Sequence, residues 1–116
     1  MKISSLKGNA KFDSIFSSND YQIQAGPFKI LLKKNRTKDL SLGLIISKKK
    51  IALASNRNFV KRRAREIIRN EKFLGHDIIF LVKQKIKDFD KTKVKNHINN
   101  LKRKLESISN ATQSNQ

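Results

Sequence analysis

The chain has 116 residues, 27 of them Lys or Arg against 9 Asp or Glu, for a formal charge of +18. That length is one domain with room for a modest core, and such a charge excess repels itself unless a partner of opposite sign neutralises it. The absence of cysteine excludes disulfides, thiolate catalysis and Cys-type zinc sites.

The first residues, Met1-Lys2-Ile3-Ser4-Ser5, lack the apolar run of a signal peptide. No stretch is long and apolar enough to cross a bilayer. The expectation is a soluble cytoplasmic protein. Nucleic acid is the first candidate partner, an anionic membrane surface the second and an acidic protein the third.

In chain order, residues 9–16 predict a short helix. Asn9 is a candidate cap, and Phe12, Ile15 and Phe16 share one face at i, i+3 and i+4. Residues 21–24 read as a short strand, and Gly26-Pro27 as a break. Residues 28–33 read as a strand, and the polar turn at 34–39 predicts a hairpin with the segment that follows. Residues 40–47 carry the strongest strand pattern, with Leu42, Leu44, Ile45 and Ile46 in one apolar run; Lys48, Lys49 and Lys50 follow at once.

A basic helix is expected over 55–72, with Ser55 or Asn56 as cap and Gly75 as stop. Residues 77–83 then read as a strand apolar on both faces. The last helix spans 91–108, with Val94, Ile98, Leu101, Leu105 and Ile108 as its apolar stripe. The order α-β-β-β-α-β-α predicts an α+β fold, a single-domain sandwich of a mostly antiparallel sheet with helices packed on it. The strands at 40–47 and 77–83, joined by the basic helix, form a β-α-β unit and are expected to be parallel neighbours. The domain is expected over 1–108, with a polar, flexible tail over 109–116.

The basic helix is the most informative stretch. Six of the sixteen residues at 54–69 are Lys or Arg, and only Glu66 is acidic. At about 100° per residue, Asn58, Lys61, Arg62, Arg65 and Arg69 fall within roughly 100° of arc, and Val60, Ala64, Ile67 and Ile68 on a neighbouring arc of similar width. One face can pack on a core while the next presents cations. Arg57 begins the same helix, and Lys48 to Lys50 add charge at the preceding strand end. Arg can fork onto a phosphate, which Lys cannot. The competing reading is a solvated amphipathic helix, against which the density and one-sidedness of the charge weigh.

Phe12 and Phe16 admit two readings, as core anchors or as stacking platforms for unpaired bases. His76 and His97 lie in different elements, without the carboxylates an acid–base or metal site needs. The nine acids are scattered with no dyad spacing, and the four glycines form no phosphate loop. The chain offers no catalytic machinery of its own.

The run Ser47-Lys48-Lys49, then Ala54, then Arg57-Asn58-Phe59-Val60-Lys61-Arg62-Arg63-Ala64-Arg65-Glu66-Ile67-Ile68-Arg69 resembles the signature of the bacterial ribonuclease P protein subunit. That signature is a strand ending in Ser-Lys-Lys and a helix reading Arg-Asn-Arg-x-Lys-Arg-x-x-Arg-Glu-x-x-Arg. The likeness extends to Phe12-Asp13-Ser14-Ile15-Phe16 and to Asp77-Ile78-Ile79, covering 6–105. One position departs: Phe59 stands where the family usually has a second Arg. By helical geometry Phe59 lies off the main basic arc, so the arc survives.

The resemblance implies an enzyme that removes the 5′ leader from precursor tRNA on a catalytic RNA using Mg²⁺. The protein binds that RNA and the single-stranded leader, with no membrane partner. It implies that the basic helix and the Ser-Lys-Lys end face the catalytic RNA. Phe12 and Phe16 would line a leader-binding cleft against the sheet, shared by Lys29 and Leu31. It also implies a left-handed β-α-β crossover, where the general rule is right-handed. The same charge and small α+β fold also suit a ribosomal or general RNA-binding protein without an enzymatic partner. A membrane-surface role is disfavoured, since no helix pairs its cations with Trp-rich or strongly apolar flanks.

Overall fold

The computed structural model describes the backbone of residues 2–114 and the side chains of residues 2–108. The chain runs through β1 (Ile3–Ser5), α1 (Asn9–Ser17), β2 (Tyr21–Ala25), β3 (Phe28–Lys34), β4 (Leu40–Ile45), α2 (Ala54–Ile68), a short 3-10 turn (Glu71–Phe73), β5 (His76–Val82) and α3 (Lys91–Ser114). Five strands form one sheet in the order β1-β4-β5-β3-β2.

β5 takes the centre because it is apolar on both faces, as a strand covered on both sides must be. Ile78, Phe80 and Val82 point to one side, where they join Phe28, Ile30, Leu32, Leu40 and Leu42 under α2 and α3. Ile79 points to the other side and meets Leu31, Ile15 and Leu6 under α1. Each such side chain contributes about 1.5–3 kcal/mol of transfer free energy, so the two-sided strand anchors both layers.

β4 and β5 pair in parallel, as the β-α-β reading requires. The hairpin expected between 28–33 and 40–47 does not form. β5 lies between β3 and β4 and pairs antiparallel with β3, because the doubly apolar strand gains more from the centre than the half-polar segments on either side. The hairpin is instead β2–β3. Gly26 and Pro27 are its two-residue loop, closed by the Ala25–Phe28 pair, and Gly26 supplies the positive φ of +56°.

β1 has no counterpart in the sequence reading. Three residues give too short a pattern to recognise, yet they pair in parallel with β4, and the Leu6 N–H donates to the Leu42 carbonyl at 3.0 Å. With it the sheet has two parallel and two antiparallel pairings, fewer antiparallel than expected.

Helix boundaries also shifted. α1 starts at Asn9 itself, after Gly8 at φ +94°, with no side-chain cap. α2 begins before the expected caps, at Ala54 after Leu53, so Ser55 and Asn56 sit inside its first turn. It ends at Ile68 rather than 72, because the Asn70 side chain accepts the Lys72 N–H and starts the 3-10 turn. Strand β4 stops at Ile45. Ser47 then opens a turn, its carbonyl accepting from the Lys50 and Ile51 N–H groups. α3 continues beyond 108 to Ser114. The tail expected over 109–116 falls on side chains, and at 115–116 on backbone, outside the described residues.

Candidate nucleic-acid interface

α2 divides its circumference as its sequence dictates. Val60, Ala64 and Ile68 are fully buried on the sheet, with Ile67 and Phe59 partly buried beside them. Asn58, Lys61, Arg62, Arg65, Glu66 and Arg69 line a surface groove of about 510 Å³. Glu66 is the single acid there, and it lies 3.6 Å from Arg63 on the next arc. Neither partner is buried, so this pair holds little energy, and among the described residues the groove's cations have no ion-pair partner.

Of the sequence candidates, the structure brings Asn58, Lys61, Arg62, Arg65 and Arg69 into this one groove. Arg57 is not among them. Its guanidinium turns back and donates to the carbonyls of Ile51 at 2.9 Å and Ala52 at 2.8 Å, fastening α2 to the loop before it. Lys48 and Lys49 stand exposed in the turn after β4. Lys50 is half-buried and donates to the Lys83 carbonyl at 3.3 Å, which draws it toward the sheet end.

A second concavity of about 580 Å³ wraps the short edge strand. Its wall runs from Lys2 and Ile3 past Leu6, Phe12 and Leu44 to Arg65 and Arg69. The two arginines therefore belong to both hollows and connect the helix groove to the α1 face of the sheet. Lys2 and β1 escaped the sequence reading because a lone lysine before three residues of strand carries no periodic signal.

On the α1 face the four remaining candidates differ in exposure. Phe16 is 46% exposed. Phe12 is half-buried, seated over Gly43, the strand position without a side chain. Lys29 shares the sheet face of Leu31 and is half-buried. Leu31 is 2% exposed and packs with Ile15 and Ile79. Leu31 is thus core beneath α1 and cannot line a cleft surface. Lys33, two residues on, donates to Ser14 Oγ at 2.7 Å and pins α1 across β3.

Among the described residues no three His, Asp or Glu side chains gather as a metal site would need. None of the described helices is long and apolar enough to cross a membrane. The arrangement can bind anions and stack on unpaired rings.

The chain is similar to known proteins over most of its length. A family model described as Ribonuclease P matches residues 1–106. Among curated relatives, the ribonuclease P protein component of Marinomonas sp. is 34% identical over 89 residues, covering 75% of this chain and 67% of that protein. The one from Legionella pneumophila (strain Corby) is 40% identical over 78 residues, 67% of each chain. The chain thus spans about two thirds of the length of these relatives. Among solved structures, the ribonuclease P protein of Staphylococcus aureus superposes with a TM-score of 0.67 at 28% identity, over 85% of this chain and 92% of that one. The Thermotoga maritima protein gives 0.61 at 28% identity, over 84% and 94%.

Proposed function

Because this chain belongs to the ribonuclease P protein family, whose members are non-catalytic subunits of a tRNA-processing ribonucleoprotein, we propose that its α2 groove seats the catalytic RNA and its α1 face takes the 5′ leader of precursor tRNA. The observation that carries this reading is the sharing of Arg65 and Arg69 by both hollows. One RNA seated on the groove lies next to a second, unpaired strand passing Phe12 and Phe16.

The chemistry divides accordingly. Asn58, Lys61, Arg62, Arg65 and Arg69 neutralise phosphates, with Arg able to hold two phosphate oxygens at once. Lys48 and Lys49 extend that field from the turn, and Arg57 and Lys50 hold the loop that carries them. Phe16 and the exposed part of Phe12 offer ring faces to leader bases, and stacking tolerates any base because every base has a π-face. Lys29 supplies charge for the leader backbone on the same face.

Among the described residues no three acids gather around one point as a protein-held magnesium ion would need. In this reading Mg²⁺ rests on the RNA, and the protein's contribution is to lower the repulsion between substrate and catalyst phosphates. The complex works in the cytoplasm, where precursor tRNA is made.

The test is reconstitution. The chain is mixed with a bacterial ribonuclease P RNA and precursor tRNA at low Mg²⁺. Leader removal should rise well above that of the RNA alone. No gain over RNA alone would overturn the assignment.

A further inference from the structure

Phe59 lies one residue after Asn58, about 100° round α2 from the groove, and its surroundings are unlike those of a core aromatic. The Arg63 guanidinium carbon stands 5.4 Å from the ring centroid, Lys91 Nζ 5.5 Å and Lys95 Nζ 5.9 Å. Phe89 closes the cluster edge-on, with centroids 6.1 Å apart and planes at 87°. The ring draws each cation by its quadrupole, by about 0.5–1 kcal/mol at a wet site. It does not cancel the repulsion among three like charges gathered around one ring.

The acids nearby offset them only in part. Glu66 reaches only Arg63. Asp90 Oδ1 is engaged at the start of α3, accepting from the Thr92 and Lys93 N–H groups. A hollow of about 170 Å³ between α2 and α3 continues the surface, with Arg63, Lys95, Asn99 and Lys102 on its wall and Glu66 as its one acid. The face therefore collects four cations along two helices, and among the described residues only Arg63 of the four is ion-paired, with Glu66.

We propose that this α2–α3 face is a second RNA contact, in which Lys91, Lys95 and Lys102 meet backbone phosphates and Phe59 holds the lysine stems in place. The proposal rests on the reading of the α2 groove as an RNA seat. RNA is favoured over a protein or a lipid surface for two reasons. The apolar side chains of the hollow, Ile67 and Ile98, are half-buried or buried, so there is no exposed anchor of the kind protein hot spots and bilayers need. And the face adjoins the groove on the same helix, so a polyanion seated in one can run on to the other.

The full chain is tested with a bacterial ribonuclease P RNA across a salt series. The double variant Lys91→Gln/Lys95→Gln should lower the slope of log K against log salt by about 1.4–1.8 units for two lost phosphates. Arg65→Ala, in the groove, is measured beside it. A second readout uses the absence of native cysteine: a hydroxyl-radical source tethered at Asn99→Cys should cut the RNA at a discrete position. If Arg65→Ala lowers the slope and the lysine pair does not, the face is free in the complex and open to a protein or lipid partner, and the proposal fails. A lowered slope with no cutting from position 99 also overturns it, since the loss would then be of net charge only. If neither variant moves the slope, the reading of the groove falls as well.

Discussion

The Phe12 ring lies against the backbone of Gly43: a methyl group built on Gly43 would stand 2.6 Å from two of the ring carbons. The contact is closer than any real side chain makes, so strand β4 accepts the ring only because that position has no Cβ. α1 is seated on the sheet by this contact together with Ile15 and the Lys33–Ser14 bond.

Gly43→Ala should therefore push α1 outward. The expected cost is about 1–3 kcal/mol of stability, the usual range for overpacking, read as a lower denaturant midpoint. If Phe12 also faces the leader, affinity for leader-bearing substrate falls more than affinity for leaderless substrate. An unchanged midpoint would mean that α1 shifts without cost.

Phe16 separates packing from binding because nearly half of it is exposed. Phe16→Ala should leave the melting temperature close to its starting value and weaken leader binding by about 1–3 kcal/mol. Equal effects on leader-bearing and leaderless precursor tRNA would remove Phe16 from the leader site.

Leu31→Ala gives the opposite pattern. The side chain is sealed beneath α1, and its truncation should cost about 2–5 kcal/mol of stability through the lost transfer energy and the cavity. Under strongly stabilising conditions leader affinity should return. Selective loss of leader affinity at full stability would mean that α1 lifts to expose it.

Arg65→Ala and Arg69→Ala should each lower the salt slope of RNA binding by about one unit. Arg57→Gln should not, because its guanidinium is committed to the Ile51 and Ala52 carbonyls. It should instead destabilise the fold by about 1–2 kcal/mol, as partly exposed charged hydrogen bonds do. A full-unit change in slope at unchanged stability would place Arg57 on a phosphate.

The basic arc of α2 was legible from spacing alone, since a helix turns residues 58, 61, 62, 65 and 69 to one side whatever surrounds it. The burial of Val60, Ala64 and Ile68 followed from the same geometry. The two-faced character of β5 was equally plain from an unbroken apolar run. Local periodicity determined these features because each depends only on near neighbours in the chain.

The tertiary structure decided what depends on distant neighbours. It set β5 between β3 and β4 where turn residues suggested a hairpin. It turned Leu31 into core and left Phe16 in the open, although both had been expected to line one cleft. It withdrew Arg57 from the groove and brought Lys91 and Lys95, some thirty residues along the chain, to the ring of Phe59. A residue's type and helical angle say which way it leaves its own backbone; only the packing of one element on another says what it meets there.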